Sequence, residues 1–219
     1  LESGAMALQD TAGSALDGNG DGSVGDAFIT SFSTAAMDRT LSLPDFMRGP
    51  GQFVDLTAPS QGGYLPLYLS DGAGVTSVEF TLHYDPAQLE LRALSAGVQL
   101  PASAIIERLP AADGILKVRI SSPTALVAGK VHLLNLLAFV PTTAAYGTKQ
   151  VLDLDEVRVN GLGATDDDAL HLVGYLGDSS GNAAYSTLDG QQIQRVLVKL
   201  DSGFATYPNV DPLIVADIN

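Results

Sequence analysis

Between Gly63 and Tyr175 short runs of aliphatic and β-branched residues recur, each closed by Gly, Pro or Asp, with no long helical stretch between them. The clearest run sets Val78, Phe80, Leu82 and Tyr84 against Glu79, Thr81 and His83, the alternation of a half-buried strand. Asp85-Pro86 ends it, because Pro has no N–H to give a ladder. Gly63–Leu69, Leu89–Leu94 and Leu116–Ile120 are shorter strand candidates. Lys130–Val140 is apolar on both faces, which predicts a strand covered on both sides. Leu152 and Leu154 alternate with Asp153 and Asp155, and Ala169–Tyr175 closes the series. Strands repeated in this way predict a mainly β, two-sheet antiparallel sandwich.

The flanks differ in texture. Residues 8–47 hold an Asp/Gly-rich loop and a weak helical stripe of Phe28, Phe32 and Ala35. Pro44, Gly49, Pro50 and Gly51 punctuate its junction with the strand-rich zone, 50–176. Residues 177–219 hold a second Asp-rich loop and then Ile193, Val196, Leu197 and Leu200, one apolar helix stripe, with Gly203 placed for a left-handed cap. Leu1–Ala7 has no basic-then-apolar signal pattern and reads as an expression scar outside the fold. The formal charge of −14 repels phosphate backbones, so nucleic acid is not an expected partner. No run of 18 or more apolar residues is present, so no helical membrane span is expected. The absence of Cys excludes disulfides, zinc thiolates and thiol catalysis. The acids are 20 Asp and 5 Glu, an excess that points to turns and hard-cation ligands rather than helix surfaces.

That excess gathers in two loops. Counting Asp178 as position 1 of a twelve-residue calcium frame, Ser180, Asn182, Ser186 and Asp189 fall at positions 3, 5, 9 and 12. Ala184 at position 7 ligates through its carbonyl, and Ala183 occupies position 6, where the sharp turn wants Gly. The other reading is a capped Asp/Ser loop with no ion. The second loop, Asp17-Gly18-Asn19-Gly20-Asp21-Gly22, has Gly at position 6 and Ser23 at position 7. Its position 12 is Phe28, which cannot ligate, so Asp26 is the candidate substitute and a metal-free Gly turn the alternative. Asp217-Ile218-Asn219 would open a third loop, and no complete site is expected there.

These residues resemble a known pair of families. Asp178–Leu200, with Asp217-Ile218-Asn219 after it, looks like the first repeat of a type I dockerin cut in its second; Asp17–Met37 looks like a further half repeat. The centre resembles a cohesin through Gly63–Leu69, Gly74–Pro86 with its Tyr84-Asp85-Pro86, and Leu89-Glu90-Leu91. The resemblance implies a jelly-roll sandwich that binds dockerins, with EF-hand-like calcium loop–helix segments at both ends. It also implies partner contacts at Thr187, Leu188, Gln194, Arg195 and Lys199, where the family commonly has Ser-Thr in place of Thr187-Leu188. The expected role is a non-catalytic, Ca2+-binding scaffold or adhesion segment outside the cell or on a bacterial surface. Its expected partner is a dockerin- or cohesin-bearing protein or a neighbouring copy of the same protein. A carbohydrate-binding module that takes polysaccharide is the alternative, though the chain has no Trp for an aromatic platform.

Four sharper motifs have blander readings. Gly177-Asp178-Ser179-Ser180-Gly181 fits G-x-S-x-G, but a loop, not a helix, follows the Ser, which is no nucleophile elbow. His83, His132 and His171 have no paired spacing and read as strand residues; Asp166-Asp167-Asp168 reads as a solvated loop. Asp153 and Asp155 share an outward face, with Glu156 beside them, and read as a solvated strand rather than a catalytic carboxylate pair. The loop–helix flanks are each too small to bury a stripe alone, so they are expected to pair or to dock on the sandwich.

Overall fold

The computed structural model describes residues 9, 11–15, 17–25, 39–57 and 63–216. The chain divides into two units, Leu1–Met37 and Asp38–Asn219. In the first, the described residues hold the Asp17 loop. Asp26, Phe28, Phe32 and Ala35 lie outside the described residues, as do Asp217, Ile218, Asn219 and the Leu1–Ala7 segment.

The second unit is a sandwich with a C-terminal appendage. One sheet has the order β11 (Thr165–Asp167), β1 (Thr40–Ser42), β3 (Leu65–Leu69), β8 (Val131–Phe139), β5 (Glu90–Ala96). The other runs β2 (Phe46–Arg48), β12 (Ala169–Val173), β9 (Lys149–Val159), β4 (Ser77–His83), β7 (Ile115–Ser121), β6 (Ile105–Leu109), with β10 (Leu162–Gly163) beside β9. Ladders are antiparallel except where β1 meets β11 and β2 meets β12. Two chain segments serve both sheets. Residues 40–48 cross from one to the other at Leu43-Pro44-Asp45, and residues 165–173 cross at Asp168. Each crossing is tied by a carboxylate: Asp45 Oδ1 accepts from the Leu170 N–H at 2.6 Å, and Asp168 Oδ1 from the Leu154 N–H at 2.8 Å. Thr40–Met47, which the sequence reading assigns to the N-terminal loop–helix segment, is therefore part of the sandwich. Pro44 marks a change of sheet, not a domain boundary.

The core lies between the sheets. Leu65, Leu67 and Leu69 from β3 meet Leu134, Leu136 and Ala138 from β8, and Leu82, Leu116, Leu152 and Leu154 from the facing sheet, all at most 2% exposed. Burying each such side chain contributes roughly 1.5–3 kcal/mol.

Register shifts explain two sequence patterns. On β8 the ladder to β3 slips between Leu67 and Tyr68, so Leu133 and Leu134 are both fully buried. On β9, Glu79 faces Arg158 while Thr81 faces Asp155, and Glu156 has φ 52°. This bulge moves the apolar phase from Leu152 and Leu154 to Val157 and Val159, all inward. Asp153 and Asp155 point outward, as their alternation predicts.

Strand β6, which the sequence reading misses, is an edge strand with Ile105 59% exposed; lacking a buried face, it shows no alternation.

After β12 come a loop, helix α1 (Thr187–Leu197) and a short helix α2 (Pro212–Ala216). They build a second, smaller core on the sandwich: Met47 of β2 and Leu172 of β12 pack with Phe204, Tyr207, Val210 and Val215. Ile193 and Val196 are partly buried against it, whereas Leu197 and Leu200 are exposed at 79% and 67%. The predicted stripe is thus half a stripe, docked on the sandwich itself. The cap also differs. Lys199, at φ 59°, is the left-handed residue, not Gly203. The Leu200 N–H bonds the Arg195 carbonyl and the Lys199 N–H that of Val196, the paired bonds of a Schellman motif.

Candidate functional site: an Asp-rich loop and an open sheet face

The Asp178–Asp189 loop folds around its first and last carboxylates. Asp178 Oδ1 accepts from the N–H groups of Gly181 at 2.9 Å and Asn182 at 3.3 Å, and Oδ2 from Ala183 at 2.7 Å. Asn182 Oδ1 accepts from the Ala184 N–H at 2.8 Å. Asp189 Oδ1 accepts from the Ser180 N–H at 2.9 Å, and Oδ2 from the Ser186 N–H and hydroxyl, each at 2.7 Å. Ser180 thus joins both ends of the loop, since its hydroxyl also lies 3.2 Å from Asp178 Oδ1. Ala183, at the position where the frame wants Gly, has φ 61°, so the sharp turn forms at the cost of holding an Ala left-handed.

Asp178 and Asp189 are 0% and 3% exposed, and neither takes part in an ion pair among the described residues. Burial works to raise the Asp189 pKa; the Ser186 hydroxyl and the Ser180 and Ser186 N–H groups outweigh it and hold the carboxyl well below its usual range. Two carboxyl groups are therefore enclosed with only hydrogen-bond dipoles around them. The loop supplies two carboxylates, two hydroxyls, one amide and one carbonyl, six oxygens of the hard type that calcium takes. This donor set fits the ion. Among the described residues no three His, Cys, Asp or Glu side chains cluster, so the two acids are the charge this site has.

The Asp17 loop repeats the same scaffold position for position. Asp17 accepts from the N–H groups of Gly20 at 2.7 Å, Asp21 at 3.2 Å and Gly22 at 2.8 Å. Asp21 Oδ1 accepts from the Ser23 N–H at 2.7 Å, as Asn182 does from Ala184. The Asn19 amide oxygen accepts from the Asp21 N–H at 2.8 Å. Gly22 at position 6 has φ 88°, matching Ala183. The Gly22 and other backbone N–H groups hold the Asp17 carboxyl below its ordinary pKa.

Ser179 of the G-x-S-x-G stretch is fully buried. Its hydroxyl lies 2.9 Å from Gln192 Oε1 and 3.2 Å from the Asp189 carbonyl. His171 stacks on Phe46 with centroids 4.5 Å apart and meets Gln150 at 3.1 Å through Nδ1. These groups serve the fold. Of the Asp triplet, Asp166 and Asp167 lie in strand β11 rather than a loop.

Thr187, Leu188, Gln194, Arg195 and Lys199 are all exposed on or beside α1, and Arg195 is held by Asp201 at 2.7 Å. On the first sheet, the outer side chains of β8 are buried or half-buried: His132 at 4%, Asn135 at 6%, and Phe139 under Phe53 and Arg92. The outer face of β6–β7–β4–β9 is open. Across it run Glu107, Arg119, Glu79 and Arg158, register neighbours of alternating charge. Arg119 lies 2.7 Å from Glu79 and 3.8 Å from Glu107. Lys117 lies 3.1 Å from Glu156, which also accepts from the Thr81 hydroxyl at 2.9 Å. Sequence alternation places Glu79 and Thr81 outward; only the register shows that they belong to a ladder.

The second unit is thus a jelly-roll sandwich module with an Asp-rich loop at its β2–β12 edge. The cohesin domain family model matches residues 65–171, from β3 into β12. Similar solved structures are cohesins. A non-cellulosomal cohesin from the archaeon Archaeoglobus fulgidus is 14% identical with a TM-score of 0.50, covering 63% of this chain and 92% of its own. The seventh ScaB type I cohesin of Pseudobacteroides cellulosolvens is 16% identical, TM-score 0.50, covering 62% and 92%. A chain of the type I Coh-OlpC–Doc435 cohesin–dockerin complex from Clostridium thermocellum is 12% identical, TM-score 0.50, covering 65% and 97%. The fold is thus that of cohesins. No curated protein matches the chain.

Proposed function

We propose that this chain is a non-catalytic recognition segment of an extracellular scaffold or adhesion protein. Its cohesin-like sandwich takes a dockerin-bearing partner or a neighbouring copy, and calcium orders its Asp-rich loops. The observation that carries the reading is the open β6–β7–β4–β9 face of a sandwich that matches the cohesin domain. A pre-paired ladder of alternating charge loses little side-chain freedom on docking and rejects partners of the wrong charge pattern. The flanks read as dockerin-type half repeats. Asp178, Ser180, Asn182, Ala184, Ser186 and Asp189 would hold one calcium ion, which would neutralise the enclosed acids. Asp17, Asn19, Asp21, Ser23 and Asp26 are the corresponding donors of the other loop. The exposed Thr187, Leu188, Gln194, Arg195 and Lys199 are the appendage's own partner contacts.

Calorimetric titration tests this. In calcium, a panel of dockerins and a second copy of the chain should include a binder. The Glu79→Lys, Arg158→Glu double variant, folded by circular dichroism, should weaken it at least about tenfold, one like-charge pair costing on the order of 1.4 kcal/mol. A panel with no binder, or a double variant that binds as well as the parent, overturns the reading.

A further inference from the structure

The Asp178 loop does not fold on its own resources. Tyr146, from the turn between β8 and β9, donates its hydroxyl proton to Asp178 Oδ2. The Tyr146 hydroxyl oxygen in turn accepts from the Tyr175 N–H at 3.0 Å, three residues before the loop opens. A sandwich side chain therefore fixes both the entry to the loop and the carboxylate at its first position.

A second tyrosine arrives from the other side. Tyr207, in the segment between the two helices, is 4% exposed, and its hydroxyl has no hydrogen-bond partner among the described residues. That hydroxyl is 3.3 Å from where a Cβ on Gly181, in the loop, would sit, and 3.5 Å from where one on Gly174, in the sandwich, would sit. A Cβ on Gly174 would also stand 2.3 Å from Met47 Cε and 3.6 Å from Tyr146 Cζ. Two glycines thus clear the space in which both tyrosines and Met47 converge. Burial raises the pKa of both hydroxyls, and the Asp178 charge adds to it; Tyr207 is pushed up to about 12. Both stay protonated as donors at neutral pH. Tail and loop are further joined by the Thr206 hydroxyl on the Ser180 carbonyl at 3.1 Å and the Gly177 N–H on the Val215 carbonyl at 2.6 Å. Lys149 of β9 reaches the Pro208 carbonyl at 3.0 Å.

We propose that Tyr146 and Tyr207 are positioning residues of the calcium site. Tyr146 holds Asp178 in its ligating orientation, and the unpaired Tyr207 hydroxyl is satisfied when the loop is filled. Ion occupancy is thereby coupled to the docking of the C-terminal segment on β2 and β12. An independent loop–helix module would need neither tyrosine. This rests on the calcium reading of the loop. Partners that orient a metal's ligands typically change affinity about 10–100-fold when removed.

The test compares the whole chain with its Tyr146→Phe, Tyr207→Phe and Tyr185→Phe variants; Tyr185 is 70% exposed in the same loop and serves as the control. Calcium affinity is read by calorimetry, and hydrogen exchange of the β2 and β12 amides is read in calcium and in chelator. We expect Tyr146→Phe to weaken calcium at least about tenfold and to abolish the calcium-dependent slowing at Met47 and Leu172. Tyr207→Phe should weaken calcium by a smaller factor, and Tyr185→Phe should match the parent. A purely structural role would lower stability equally with and without calcium and leave affinity unchanged, which overturns the proposal. So does a parent in which calcium slows exchange only within Asp178–Asp189. A parent that binds no calcium overturns both this coupling and the calcium reading; a parent that binds, with Tyr146→Phe binding equally, overturns the coupling alone.

Discussion

Two residues show how burial sets chemistry side chain by side chain. His171 is fully enclosed and stacked on Phe46, and burial pulls its pKa down to about 4. The unfolded chain takes up this proton near pH 6.5, but the folded chain does not until about pH 4. Stability is therefore full above pH 6.5, falls as pH drops toward 4, and then levels off for this group. The contribution lost by pH 4.5 is roughly 2 kcal/mol. Urea unfolding at pH 7 and pH 4.5 should show a shallower fall for His171→Phe than for the parent. Equal slopes would mean that the imidazole is not kept neutral. Asp189 is the other case. It closes the loop and caps α1 through Ser186, so Asp189→Ala strands three donors while Ser186→Ala removes a hydroxyl. We expect Asp189→Ala to cost at least about 2 kcal/mol more in the free energy of calcium binding, measured by titration. Equal affinities would reject the frame that starts at Asp178.

At the scale of elements, two left-handed positions carry the wrong residue for their turn. Ala183 has φ 61° at position 6 of the loop, and Lys199 has φ 59° after α1. A side chain in that region costs roughly 1–2 kcal/mol, and Gly there costs little. Ala183→Gly and Lys199→Gly should each raise thermal stability, by about 1 kcal/mol at most once the added freedom of the unfolded chain is subtracted. Ala183→Gly should also tighten calcium, because the turn it relaxes carries the proposed ligands. Calorimetric melting of the two single variants checks both. An unchanged midpoint for both would show that neither turn is strained. The bulge at Glu156 is a related device. It spends one residue to keep Leu152, Leu154, Val157 and Val159 on one face, and it aims Glu156 at Thr81 and Lys117.

Across the whole molecule, the C-terminal segment is held by a small core of its own. Phe204→Ala should cost about 3 kcal/mol in the docking of that segment, because Phe204 is 5% exposed among Met47, Leu172 and Val215. Limited proteolysis should then cut faster between Val198 and Asp211, while the amides of β4 and β8 exchange as slowly as before. If those strands loosen as well, the two cores are one cooperative unit, and the ion site and sandwich melt together.

Period-two alternation and short apolar runs, the run of β8 apolar on both faces, were enough to locate seven of these strands and the sandwich class, because buried faces show in the local sequence. The oxygen spacing of Asp178 to Asp189 marked the loop, because its candidate donors all lie within twelve consecutive residues. Strand β6 and the crossings at Pro44 and Asp168 were illegible, since edge pairing and sheet exchange leave no local period. The ladder Glu107–Arg119–Glu79–Arg158 needed the register of four strands. Tyr146 lies 32 residues before Asp178, and Tyr207 follows it across a helix, so only tertiary packing sets the two hydroxyls beside that carboxylate. Sequence spacing specifies what a segment does with its own backbone; what reaches it from elsewhere is decided by the surfaces that must be buried together.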